Sequence, residues 1–176
     1  QGAPLQAYRF LVKARQLAPE DQEVLLKLGL VQLAAGEIGR ARETAKAVLA
    51  KDPVQEDALL LFVNASVTPE QLADAGKWLE EVRGQAGRKA AFHLAMSQLS
   101  LRKRDLGPAE AAVRQALLVE PKSALAHMAL GEIFRSRTNL AGAEEEFKTA
   151  AELAPLRSPV HSKYAEFKAN TGDIPA

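Results

Sequence analysis

The chain has 176 residues, 47% of them hydrophobic but only 5% aromatic, with 23 basic against 22 acidic side chains and no cysteine. This near-neutral balance offers no bulk attraction to nucleic acid or an anionic membrane, and the lack of thiols excludes disulfides and thiolate metal sites. A core of Ala, Leu and Val suits close-packed helices, and the longest apolar runs, such as Ala58 to Val63, fall far short of the roughly 20 residues of a membrane helix.

Residues 1–21 read as a lone second helix closed at Pro19, and residues 22–55 show a complete helical hairpin. There, helical periodicity runs from Gln22 to Ala35, and Gly36 supplies a residue that takes positive φ. A second helix over Ile38 to Lys51 ends at Asp52-Pro53, because proline cannot continue a helix and pushes the residue before it out of the α region. Residues 56–89 depart most from this design. Thr68-Pro69-Glu70-Gln71 joins proline at a first turn to capping-box spacing. Gly76 is expected to interrupt the second helix, and Gly84 and Gly87 stand where proline closes the others. Each glycine weakens a helix by about 1 kcal/mol relative to Ala, so this junction is expected to bend or flex. Trp78, the sole tryptophan, reads as packing filler for these glycines rather than an exposed anchor. Residues 90–123 and 124–157 return to the pattern, and Ser158-Pro159 opens a lone first helix over 158–176. Both ends fall inside a unit and the first residue is not Met, so the chain is expected to be a segment of a longer protein.

These units repeat with a period of 34 residues. Pro19, Pro53, Pro121 and Pro155 form one column, with Gly87 in the remaining place, and Ala7, Ala41, Ala75, Ala109 and Ala143 form another. A third reads Leu28-Gly29, Phe62-Val63, Met96-Ser97, Leu130-Gly131 and Tyr164-Ala165. Small residues in such columns let helix axes approach to about 8–10 Å. A fixed period of this size marks stacked units that bury their apolar faces against neighbours only.

The series Leu25, Leu28-Gly29, Ala41, Ala45, Val48 and Pro53, and again Leu130-Gly131, Phe134, Ala143, Phe147, Ala150 and Pro155, resembles the tetratricopeptide repeat family. The resemblance covers the whole chain. It implies an all-α solenoid of about ten helices, wound as a right-handed superhelix whose concave face is lined by first helices and holds a peptide or protein segment.

The first helices carry more apolar residues than one packed stripe requires. Leu26 and Leu30 have Leu60, Leu94 and Met128 in register with the former, while Leu33 has Val67 and Leu101 in register with it. The column of Leu30 continues as Asn64, Gln98, Glu132 and Glu166, and the carboxamides of the first two both donate and accept as a peptide backbone requires. The expected site is therefore a groove, apolar at its N-terminal end and charged towards Arg135, for an apolar or amphipathic peptide or protein. Family members that grip C-terminal carboxylates use Lys, Asn and Arg on successive first helices. Here Leu26, Leu30, Leu60 and Ala95 line that wall and Asn64 alone matches, so no such clamp is implied.

Other features have plain explanations. His93, His127 and His161 lie on the repeat grid, too far apart for one metal ion and suited to packing, with a pH-sensitive contact as the alternative. Arg102-Lys103-Arg104 with Arg135 and Arg137 makes a basic edge at helix C-termini, where cations are favoured. Asn64-Ala65-Ser66 has glycosylation spacing but is read as mid-helix. No phosphate-cradling loop or nucleophile–base pair is present, which points to a non-enzyme without metal or cofactor. The rival reading is an assembly module of a larger protein, with a homo-oligomer as its form. The alanine-rich style resembles exported bacterial lipoproteins of surface polysaccharide systems, which implies a bacterial cytoplasm, periplasm or cell envelope.

Overall fold

The computed structural model describes residues 3–172, with side chains described from Tyr8 onward. Among them ten helices follow one another through short loops, with no strand. They are α1 (Ala3–Leu17), α2 (Gln22–Ala34), α3 (Ile38–Leu49), α4 (Glu56–Asn64) and α5 (Pro69–Ala86), then α6 (Ala90–Arg102), α7 (Leu106–Val119), α8 (Ala124–Ser136), α9 (Leu140–Leu153) and α10 (Pro159–Thr171). Every helix packs on the next one in the chain, so the molecule is an all-α solenoid. The core accordingly forms three apolar clusters strung along the array: one shared by α2 to α6, one by α6 to α8, and one around Phe147 and Phe167.

The small-residue columns have the packing role that their spacing implies. Ala41, Ala75, Ala109 and Ala143 are completely buried on second helices, while Ala7 lies outside the residues whose side chains are described. A Cβ on Gly131 would stand 3.0 Å from the Phe147 ring of the same hairpin. One on Gly29 would collide with Leu61 of α4.

Helix starts follow the local chemistry. Asp21 accepts from Glu23 N–H and Val24 N–H, and Ser158 accepts from Val160 N–H ahead of Pro159. Thr68 and Gln71 complete the capping box, with Gln71 N–H donating to Thr68 Oγ1 at 3.2 Å and Thr68 N–H to Gln71 Oε1 at 3.2 Å. The turns inside the hairpins depend less on glycine than expected. Gly36, Arg104 and Thr138 have φ of 78°, 60° and 59° at equivalent positions. Behind each, the next residue's N–H donates five residues back, as Asn139 to the Phe134 carbonyl at 2.9 Å, which closes a Schellman turn.

The unit over 56–89 is built differently. Helix α4 stops at Asn64, one turn before its counterparts, and α5 begins early and runs 18 residues through both Gly76 and Gly84. Gly76 therefore does not interrupt the helix. Its open side admits Leu99 of α6, which would lie 3.3 Å from an added Cβ. The missing turn of α4 is replaced by a cluster around Arg42 of α3. That buried guanidinium donates to Ser66 Oγ at 3.3 Å, pairs with Asp74 of α5, and stacks 4.7 Å from the Phe62 ring centroid. Trp78 meets Phe62 edge-on at 6.2 Å and donates to the Pro53 carbonyl at 3.3 Å, so it is packed as expected. The sequence Asn64-Ala65-Ser66 is the end of α4 rather than its middle, and Ser66 is buried with its hydroxyl donating to the Phe62 carbonyl.

Candidate functional site

The shortened α4 sets the geometry of the first-helix face. Its last carbonyl, on Asn64, is left without a helical partner, and Arg102 of α6 donates to it at 2.8 Å. Helix α4 shares an apolar cluster with α6 and packs on it more extensively than on its own hairpin partner α5. Helices α6 and α8 stand apart by contrast, so first-helix spacing along the array is uneven. A cleft of about 250 Å³ opens over this gap, walled by Leu60 of α4, Ala91 and Leu94 of α6, and Ala124 and Leu125 of α8. Ser123, Glu56, Asp57 and Glu120 complete its rim. A larger space of about 320 Å³ lies among α1, α2 and α3, and its wall carries Arg15, Arg40 and Glu43.

The residues expected to form a groove separate into groups. Leu60 and Leu94 meet in the cleft. Leu26 is buried in the first core cluster and Leu33 packs against it. Leu101 packs on the second cluster and Met128 on the third. Leu30 and Val67 remain exposed, at 51% and 50%, outside the cleft lining. Asn64, Gln98 and Glu132 are half-buried, and Glu132 accepts from exposed Arg135 at 2.6 Å. Leu125, Ala91 and Ala124 were absent from the expected set. The available signal was the column Glu23, Asp57, Ala91, Leu125, where a leucine replaces an otherwise polar or small residue.

Charge on the rim is uneven as well. Glu56 lies 3.3 Å from Lys89, whereas Asp57 and Glu120 form no ion pair among the described residues. The basic edge serves the fold instead. Arg137 donates to the Leu106 carbonyl at 3.2 Å and pairs with Glu110. Hydrogen bonds from Arg114, reinforced by the Arg137 charge, hold the Glu110 carboxyl below its usual value despite partial burial. The histidines also have structural partners. Nε2 of His127 and of His161 each lies 3.1 Å from the carbonyl of the proline closing the preceding unit, and His127 Nδ1 is 2.7 Å from Glu146 Oε2.

Comparison with known proteins matches this architecture. Tetratricopeptide repeat patterns match residues 1–62 and 94–158. A thermophilic tetratricopeptide repeat protein of Thermus thermophilus superposes with a TM-score of 0.77 at 25% identity, over 96% of this chain and 92% of that one. A tetratricopeptide repeat protein of Parabacteroides merdae has the same fold, with a TM-score of 0.70 at 12% identity over 98% of this chain and 68% of its own. In sequence, 81 residues are 33% identical to the Protein O-mannosyl-transferase Tmtc1 of Drosophila melanogaster, which is 46% of this chain but only 9% of that protein. With both sequence and near end-to-end structural likeness added to the stacked hairpins, buried alanine column and closing prolines, the chain belongs to the tetratricopeptide repeat family.

Proposed function

We propose that this chain is a non-catalytic scaffold that binds a peptide or protein segment across its first-helix face. Tetratricopeptide repeats mediate protein–protein interaction in general. The observation that carries the reading here is the cleft between α6 and α8, where Leu125 stays 50% exposed beside Leu60 and Leu94. Most of the other surplus leucines are absorbed by the core, whereas Leu125 stays open over a gap where a partner's apolar side chain would cover it. Asn64 and Gln98 continue the face with groups that suit a peptide backbone, and Glu132 with Arg135 forms its charged end. The units 22–55, 56–89, 90–123 and 124–157 are the modules of this scaffold.

The test is selection from a displayed library of random short peptides on the immobilised chain, followed by binding to Leu125→Ser and Gln98→Ala variants. Enriched peptides should bind the Leu125→Ser variant several-fold more weakly. Failure to enrich any peptide, or equal binding to both variants and the parent, removes the groove reading. A second reading, an assembly module, draws on Leu118 and Leu156, which are exposed at 73% and 93% near the ends of second helices. Light scattering over a concentration series checks it, since a dimer abolished by Leu118→Ser places assembly first.

A further inference from the structure

We infer that the cleft between α6 and α8 selects a segment carrying lysine or arginine next to a leucine-sized side chain. The inference rests on the first-helix face being the binding face.

The size of the cleft sets the first limit. At about 250 Å³ it falls below the range of roughly 300–1,000 Å³ typical of small-molecule sites. It has room for one large apolar side chain and part of a neighbour, on a floor formed by Leu60, Leu94 and Leu125.

Charge complementarity identifies the neighbour. Carboxylates reach the rim from two directions, with Glu56 and Asp57 on the first turn of α4 and Glu120 at the end of α7. Lys89 offsets Glu56 alone. The two residues on α4 sit at a helix N-terminus, where negative charge is favoured without any ligand. That explanation fails for Glu120, which is the C-cap of α7, where the helix field disfavours an acid. Nor does a turn motif account for it. Asp52, at the equivalent position before a closing proline, accepts from Val54 N–H at 3.2 Å, whereas Glu120 accepts no side-chain hydrogen bond among the described residues. A carboxylate with no internal work, beside the half-exposed Leu125 and lining the same cleft as Asp57, fits an ammonium or guanidinium held between them. Elsewhere on the same face the charges are matched internally, as Glu132 with Arg135 and Glu166 with Lys163.

The experiment uses the peptides enriched from the random library and reads their composition and affinity. Enriched sequences should pair Lys or Arg with Leu, Ile, Met or Phe. By fluorescence anisotropy, a labelled representative should bind the double variant Asp57→Asn/Glu120→Gln about three- to tenfold more weakly than the parent. Both positions are exposed, so helical content and melting temperature should hold. The difference should shrink as ionic strength rises. Replacing the peptide's basic residue by Glu should remove binding, and Leu125→Ser should weaken it independently. Enriched peptides that are neutral or acidic, yet lose affinity on Leu125→Ser, overturn this inference and leave the scaffold reading standing. Equal affinity for the double variant and the parent overturns it too. A chain that dimerises through Leu125 puts a second copy in the cleft and overturns it, and absence of any enrichment removes both readings.

Discussion

The hairpins over 124–157 and 56–89 occupy equivalent places in the array but are held together by different forces. In the first, Gly131 lets Phe147 lie against α8, Ala143 is fully buried, and a Schellman turn at Thr138 joins two helices of nearly equal length. Its stability comes from apolar contact, within the unit and with Phe167 of α10. In the second, α4 is a turn short, α5 is long, and Arg42 from the preceding unit fills the vacated corner by bonding Ser66, pairing with Asp74 and stacking on Phe62. There the joint is made between units. A repeat array thus tolerates a degenerate unit when a neighbour supplies the missing contact, because each unit depends on its neighbours in any case. The close packing of first helices is also local to this place: the short α4 lies against α6, whereas α6 and α8, like α8 and α10, touch little.

Phe147→Ala should have the largest effect on this contrast, costing about 3–5 kcal/mol as a buried ring is lost from the regular hairpin. Hydrogen exchange should show the loosening concentrated in α8, α9 and α10. Arg42→Ala should cost about 2 kcal/mol, less than a fully buried ion pair because Asp74 is half in water. Its exchange signature should span α3, α4 and α5 together. If only α3 loosens, the joint is not made between units.

Glu110→Gln should cost about 1 kcal/mol at neutral pH, through lost charge-assisted bonds to Arg114 and Arg137. The folded-state value of this carboxyl is depressed, so its contribution is present above the unfolded value and lost as pH falls through the folded one. Denaturation curves of parent and variant should therefore converge in acid; a gap that persists there would assign the effect to packing.

The smallest expected effect separates the two hairpins by sign. Thr138 holds positive φ with a β-branched side chain, so Thr138→Gly should stabilise the chain by about 0.5–1 kcal/mol. The equivalent position in the irregular unit is Glu70, inside the first turn of α5, and Glu70→Gly should lower the melting temperature instead. The same direction for both substitutions would mean that the two turns are alike after all.

Much of this architecture was legible in the amino-acid sequence. The hairpins, the capping box at Thr68 and the packed roles of Ala41, Ala75, Ala109 and Ala143 follow from the spacing of small, apolar and turn residues, which act within a helix or on its immediate neighbour. Gly76 misled because its local propensity argues for a break, whereas its missing side chain serves contact with Leu99 on another helix. Arg104 and Thr138 gave no sign of positive φ, since a Schellman turn's hydrogen bonds hold residues there that would not choose it alone.

The sequence by itself therefore determined the period, the helix pairs and the family, because those depend on contacts between neighbours at a fixed spacing. Which leucines the core absorbs and which stay open was decided only in the tertiary structure. The exposure of Leu125 and the burial of Leu94 depend on where α4, α6 and α8 lie relative to one another. In that placement α4 and α6 share one buried apolar cluster, and Arg102 reaches back from the next unit to cap the early end of α4.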